Sequence, residues 1–586
     1  MATTMISDWI SQTYEDDSSN VSSKKTVNMY FQSTEGEGKA PAILLGTPGT
    51  ATFTREEQTP FNIESIQGSG DQPNFVTITA TDHGMSAGQL FNVTGTLYYD
   101  ELNLVIIQVT ANTIVYSTLQ NQISLEETIG SVVPTGESPI TDVEENASCR
   151  GLYTTSTGRV FTVFGAKLFE IFIDGTWEFR YDIGTGGFTK VSMTDDGFNL
   201  VLVDGIDMIV VDLTTNIGAN ITLLLPFTNP IKVITLNQRI VCINSDTTIG
   251  VDTRFYWSGQ LDANTWDVLS FASTESNQDP NIAMEVREGE VWFFGPRSYE
   301  VWRIDENPDL PYAKVSGNST EIGCGAANSV TQIGGQIFWI GSSTSGQNVV
   351  FMSQSAGAQR ISNHAIETEL NKFGFKTADA IGFSYQQVGH TFYVLTLIQA
   401  NKTFVFDMLN GKWHERSSKD VLTNKQNRWD ILFATFAFST VIVGGLANAR
   451  ILTLDLDRYT EWDGRPITRE HQGPIIFNSY KQVFHKEFMV DMETGVGLQQ
   501  NQPYQSGIQT AQGDNPQIML QFSDDYGHTW SSERWTDIGK VGQYETRARW
   551  KRLGRSRGRV YRIVISDPVK VVIIGARVTA GLGVQP

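Results

Sequence analysis

Between positions 547 and 562 the chain carries Arg547, Arg549, Lys551, Arg552, Arg555, Arg557, Arg559 and Arg562, eight positive charges in sixteen residues of a protein whose net charge is −21. Guanidinium groups fork onto carboxylate or phosphate oxygens, so the run is a candidate interface for DNA phosphate or for an acidic protein surface. Arg547, Arg549 and Lys551 alternate as they would along one face of a strand, with Trp550 on the other. The plainer reading pairs these arginines with nearby carboxylates such as Glu533, Asp537 and Glu545. A second constellation, Ser523-Asp524-Asp525-Tyr526-Gly527-His528-Thr529-Trp530, has the spacing Ser-x-Asp-x-Gly-x-Thr-Trp. There Asp525 is placed to accept amide hydrogens of its own turn, Gly527 to supply a positive φ, and Trp530 to pack beneath.

Little else in the sequence carries chemistry. The thiols Cys149, Cys242 and Cys324 are odd in number, far apart and read as buried and reduced. The seven histidines include no His-x-x-x-His pair, so neither a metal centre nor another cofactor is expected. No Gly-x-Ser-x-Gly elbow, Gly-x-x-x-x-Gly-Lys loop or recognisable Cys–His signature is present. Carboxylates are plentiful, but an acid/base pair is defined by distance in space. The expectation is a protein that is not an enzyme. The Ser523–Trp530 pattern resembles the Asp box of sialidases and related propellers, where it is a structural hairpin remote from catalysis; a single copy outside any repeat is read structurally here.

The elements that must position these residues are strands. With 586 residues, 53 glycines and 11% aromatics, the chain has few helix-period stretches and room for about two to four domains. Helices are expected only at Met5–Thr13 and His364–Phe373. The acidity, with a pI near 4.8, disfavours a general nucleic-acid binder or an anionic-membrane binder. In a ring around DNA it would instead line a lumen that does not hold phosphates. The N-terminus, with Asp8, Glu15, Asp16 and Asp17, does not read as a secretory signal. Residues 431–447 are apolar but shorter than the roughly 20 residues that span a bilayer, and read as two strands joined at Ser439-Thr440.

One pattern of apolar run, polar turn and apolar run occurs seven times: Val160–Ile173, Leu200–Val211, Ile240–Trp257, Val291–Trp302, Ile337–Met352, Thr391–Phe406 and Val441–Leu454. Starts about 40 to 55 residues apart match the period of a four-stranded propeller blade. The fold class is therefore all-β: a β-propeller of roughly six or seven blades, a small inserted β-barrel and a C-terminal β-sandwich-like domain. The expected divisions are an N-terminal arm with the first propeller strands over 1–59, the barrel over 60–145, the propeller over 146–470 and the C-terminal domain over 471–586. Thr26–Gln32 is a strand that could close the ring. The barrel is expected inside a blade, and His83-Gly84-Met85, Gly88 and Val93-Thr94-Gly95 resemble the small barrel modules first named in ubiquitin-activating enzymes. His83 is read as a hydrogen-bonding corner rather than a catalytic base.

Several segments then fall into one order. They are Thr26-Val27-Asn28-Met29-Tyr30 and Leu45-Gly46-Thr47-Pro48-Gly49-Thr50; Cys149-Arg150-Gly151-Leu152-Tyr153 and Val160–Leu168; Gly295–Trp302 and Glu321–Cys324; Arg549–Arg555, Tyr561–Val569 and Ile573–Val578. This series resembles the packaged-DNA stabilisation proteins, the tail hubs of short-tailed bacteriophages, over nearly the whole chain except the insertion. The resemblance implies a structural virion protein of the tail, assembled in the host cytoplasm as a homo-oligomeric, hexameric ring. The ring would lie below the portal-adaptor protein, retain the packaged double-stranded DNA that later passes through its lumen, and hold a tail needle or nozzle protein and tailspikes or fibres, with no membrane partner. No catalytic residue comes with it. The alternative is a glycan-binding or glycan-degrading propeller of the tail, which would need a pocket of tryptophans and paired carboxylates on the central face.

Overall fold

The apolar repeats become the middles of blades because each is packed from both sides. In Val160–Phe164, Lys167–Ile171, Asn199–Val203 and Met208–Asp212 nearly every residue is buried. Strands covered on both faces read as unbroken apolar runs rather than as alternation. The computed structural model describes residues 2–582 except 16–21, 35–37, 58–60, 70–73, 82, 84, 86–89, 95, 97–98, 100, 119–125, 129–130, 138, 141–142, 144–146, 185–189, 247–251, 275–278, 308–309, 344–347, 355–356, 421–422, 446–448, 480 and 498–513.

Among the described residues seven antiparallel blades, over 149–182, 192–220, 230–273, 283–320, 322–360, 381–419 and 431–455, are arranged in a ring. The innermost strands touch in sequence, and Cys149–Thr154 meets both Ser192–Asp195 and Ile431–Ala437, so the ring is closed. Aromatic pairs lock neighbouring blades: Phe255 stacks on Phe293 at 4.4 Å and Phe338 on Tyr393 at 5.0 Å. The apolar stretch near 431–447 is the hairpin Ile431–Ala437 and Thr440–Gly445. No helix of the described residues is long and apolar enough to cross a membrane.

The strand that closes the ring is Gly49–Thr52, paired with Ile451–Asp455 at the outer edge of the last blade. The more apolar Thr26–Gln32 does not close it. That segment is split at Asn28, whose φ of 56° turns the chain. The Asn28 amide holds the turn by donating to Ser417 O at 3.0 Å and Thr468 O at 2.8 Å. Ser23–Val27 and Met29–Ser33 thereby enter different sheets of the C-terminal domain.

The C-terminal domain is a sandwich. One sheet joins Met29–Ser33, Ala42–Gly46, Val572–Leu582, Val483–Met492 and Ala548–Lys551. The other runs from Ser23–Val27 through Arg469–Gln472, Gly558–Ile565 and Gln517–Ser523 to Arg534–Asp537. This second sheet continues into the sixth blade, because Ser23–Val27 also lies parallel to Lys412–Lys419. Lys25 reaches Glu415 at 3.8 Å across that join, and burial pushes the Glu415 carboxyl up.

His364–Phe373 is a helix, its first turn capped by Asn363, which accepts from Ile366 N at 2.9 Å. Met5–Thr13 is not helical. Its amides are taken elsewhere, Ile6 N by Ala576 O and Thr13 N by Trp413 O, both at 2.9 Å. Trp9 inserts between His471 and Phe488 in the sandwich core.

The inserted module lies between the ring-closing strand and the first strand of the first blade, not inside a blade, and its strands form two five-stranded sheets that no strand pair joins among the described residues. Its two sheets share a core that includes Ile66, Val76, Phe91 and Tyr116. His83 Nδ1 accepts from Met85 N at 3.1 Å, the corner role expected of it. Gly84, Gly88 and Gly95 lie outside the described residues.

Candidate interaction surface

The basic run occupies the open edge of the first sandwich sheet. Ala548–Lys551 pairs on one side with Val483–Met492 and is the last strand of that sheet. Its alternation is as the sequence suggests: Arg549 and Lys551 are exposed, Ala548 and Trp550 buried. Trp550 fixes the strand, since its indole N–H donates to Arg534 O at 2.9 Å in the facing sheet. The chain then turns at Arg552, with φ 58°, and Arg555-Ser556 rejoins Val483-Phe484.

Two of the eight basic residues do not belong to this surface. Arg559 is 1% exposed and forks onto Asp524, Nε to Oδ1 at 2.6 Å and Nη2 to Oδ2 at 2.8 Å, with its plane 4.0 Å from the Phe522 ring. Arg562 lies 4.1 Å over Trp530, donates to Gln521 Oε1 and stands 3.8 Å from Glu470. Both sit on Gly558–Ile565, a central strand of the other sheet, so their side chains serve the Ser523–Trp530 hairpin. The carboxylate partners are Asp524, Glu470 and, for Lys551 at 3.9 Å, Glu487; they are not Glu533, Asp537 or Glu545. Strand pairing rather than closeness in sequence chose them.

Arg547, Arg549, Arg552, Arg555 and Arg557 remain exposed, with no carboxylate within 4.0 Å among the described residues. Exposed aromatic side chains lie on the strands paired with this run, Phe484 in the edge sheet and Phe477 in the facing one. Phe484, 41% exposed, is paired with Arg555, and Phe477, 65% exposed, with Gly558 beside Arg557. Exposed arginines interleaved with exposed aromatics are the composition enriched in protein interfaces. Isolated phenylalanines in a sequence give no such signal, because it appears only when the strands are paired.

The Ser523–Trp530 hairpin is a closed hydrogen-bonded unit. Ser523 Oγ and Thr529 N donate to Asp525 Oδ1 at 2.6 and 2.8 Å, and Thr529 Oγ1 to Oδ2 at 2.5 Å. These donors hold the Asp525 carboxyl far below the usual carboxylate range. Gly527 has φ 109°, a conformation that side chains avoid. Both aspartates are therefore engaged within their own domain. Asp524→Ala, which strands the buried Arg559 guanidinium, is expected to cost about 3 kcal/mol, and Arg559→Met, which removes the charge as well, clearly less. Urea unfolding of both variants checks the order; equal losses would refute it.

The blades' inner strands surround a central cavity of about 400 Å³. Its lining holds Lys190, Lys232 and one carboxylate, Glu285, with no tryptophan among the described residues. Cys149, Cys242 and Cys324 are buried, and burial pushes the Cys149 and Cys324 thiols up to about 12. Among the described residues no group of three His, Cys, Asp or Glu side chains is placed to hold a metal ion.

Family models described as bacteriophage P22 Gp10, beta-propeller, and bacteriophage P22 Gp10, beta-sandwich, match residues 135–459 and 468–581. No curated protein matches the sequence. Among solved structures, YCF48 from Cyanidioschyzon merolae is similar at 13% identity and a TM-score of 0.34, over 53% of this chain and 97% of that one. The computationally designed Ika8 protein is similar at 12% identity and a TM-score of 0.31, over 53% and 98%. Scores this low carry no argument.

Proposed function

Because this chain belongs to the bacteriophage P22 Gp10 family, through a propeller matched over 135–459 and a sandwich matched over 468–581, we propose that it is the tail hub of a short-tailed phage. In this reading it forms a hexameric ring below the portal-adaptor protein, retains packaged DNA and becomes part of the ejection conduit. Tail needle or nozzle and spikes or fibres attach to its outer faces. The two-domain family match carries the proposal, and three features of the molecule support it. A sheet that runs from blade into sandwich makes a stiff block. The arginine–aromatic edge suits an acidic protein partner. The acidity of the whole chain suits a lumen through which DNA slides.

The glycan alternative has less behind it. It needed tryptophans and paired carboxylates on the central face, where the cavity has two lysines and one glutamate, and its Asp box is accounted for by the hairpin that anchors Arg559. Cryo-electron microscopy of the virion tests the hub: a ring directly below the portal assembly is expected, and trimers at fibre tips would overturn it. Reversing Arg549, Lys551, Arg555 and Arg557 to glutamate should leave the melting temperature within a few degrees of wild type, because all four are exposed. Incorporation into particles, measured by quantitative blotting, should fall at least about tenfold. Unchanged incorporation would remove this edge from the assembly contacts.

A further inference from the structure

The central cavity carries an unbalanced charge. Lys232, on the third blade's inner strand, is 3.4 Å from Glu285 on the fourth. Lys190, just before the inner strand of the second blade, also lines the cavity, and no described carboxylate lies within 4.0 Å of it. Its ammonium lies instead 5.7 Å from the centre of the Phe433 ring, on the seventh blade. Two ammonium groups thus face one carboxylate inside a protein of net charge −21. An ammonium drawn away from bulk water beside a like charge is costly without a counter-ion.

We propose that the propeller's central cavity is a binding site for a small oxyanion, a phosphate or carboxylate, held between Lys190 and Lys232. The volume, about 400 Å³, is within the range of small-ligand sites and far too small for a duplex. Hydroxyls border it: Ser192, Thr194, Thr235, Thr331 and Ser384. Thr194 and Thr235 hydrogen-bond each other across two blades at 2.7 Å, which fixes the wall beside the lysines. An anion there would neutralise the charge that Glu285 leaves over.

The site should also take up a proton on binding. Burial, and then Lys232, push Lys190 down to about 7, while Glu285 acts the other way. Tyr153, on the first blade, is bonded to Asp195 at 2.8 Å and pushed up by burial, so it stays neutral at these pH values. The inner strands of the fifth, sixth and seventh blades bring Thr331, Gln332, Ser384 and Thr435 to the lining, none of which titrates. Lys190 is thus charged below pH 7 and increasingly neutral above it, and an anion that needs the charged form binds less tightly as pH rises.

Titration calorimetry of the full-length protein with inorganic phosphate, and separately with succinate, tests this. Binding of at least one is expected at pH 6.5; for succinate, which does not itself titrate over this range, it should weaken about tenfold per pH unit above 7.5, with a heat that changes with the buffer's ionisation enthalpy. Lys190→Met should abolish it. Lys190→Arg should keep binding and, with succinate, whose carboxylates stay ionised over this range, remove the pH dependence near 7, because arginine stays charged; this second variant keeps the test sound if the first does not fold. No binding of either anion, or binding that survives in Lys190→Met, overturns the site. Phosphate without succinate would identify a phosphate site, and the reverse a carboxylate site.

Discussion

Replacing Gly49 by valine is expected to prevent the propeller from closing. Gly49–Thr52 is the outermost strand of the last blade, supplied by a segment far in sequence from its three partners, so completing the blade at which the ring closes depends on those four residues. A Cβ at Gly49 would collide with Thr460 O and lie 2.6 Å from Arg458 O. The backbone cannot retreat, since Gly49 N is bonded to Arg458 O at 2.8 Å and Thr50 N to Thr460 O at 3.2 Å. Thr50 adds a side-chain clasp, donating to Glu461 at 2.8 Å and accepting from Trp462 N at 2.9 Å. A loss of about 4 kcal/mol or more, or failure to accumulate soluble protein, is the expected result. Thr50→Val, which removes only the clasp, should cost about 2 kcal/mol. Urea midpoints measure both, and an unshifted midpoint for Gly49→Val would show that the ring does not depend on this strand.

Acid should weaken the sandwich and the blade joined to it through their buried histidines. Burial pushes His471 and His485 down to about 4, and burial with the Arg416 charge pushes His414 to about 3. His485 is held neutral between the Tyr561 hydroxyl at 2.9 Å and Ser556 Oγ at 2.8 Å, and His471 Nε2 bonds Trp9 O at 2.6 Å. In the unfolded chain histidine titrates near 6.5, so between about pH 6.5 and 4 the unfolded state binds more protons and stability falls as pH falls. At the bottom of that window the loss is about 3 kcal/mol for each of His471 and His485. Glu415, Glu461 and Asp567 oppose it, because burial raises their carboxyls and the folded state then holds those protons more tightly. The cleaner quantity is therefore a difference. Between pH 7 and 4.5 the wild type should lose at least about 3 kcal/mol more than the His471→Gln, His485→Gln variant. Parallel pH dependences in the two proteins would sink this account.

Much of the propeller was legible in the sequence because the repeats mark the two middle strands of each blade, which neighbouring blades cover on both faces. Outer strands left little trace. Trp177–Asp182 alternates poorly and has no buried residue, and Gly49–Thr52 begins inside Gly46-Thr47-Pro48-Gly49-Thr50, whose glycines and proline mark a turn, although it closes the ring. The eye goes instead to Thr26–Gln32, of which Met29 and Phe31 pack in the sandwich core and Tyr30 packs on His390 and Phe392 of the sixth blade. Met5–Thr13 has a plausible helical spacing, but its amides and Trp9 are claimed by strands hundreds of residues away, which no local pattern records. The basic run was visible as charge. Its division into an exposed edge and a buried support for Asp524 depended on which strand lay beside which.

The sheet shared by the sixth blade and the sandwich has a mechanical consequence. Where two domains meet through a flexible linker, a pull on one is taken up by bending. Here Ser23–Val27 pairs with Arg469–Gln472 on one side and, through Val27 and Glu415, with Lys412–Lys419 on the other, a join braced by Asn28 N on Glu415 O, Thr13 N on Trp413 O and Asn410 on Phe31 O. A load across that join must break these bonds together rather than open a hinge, so a push arriving at the sandwich would turn the propeller with it as one lever.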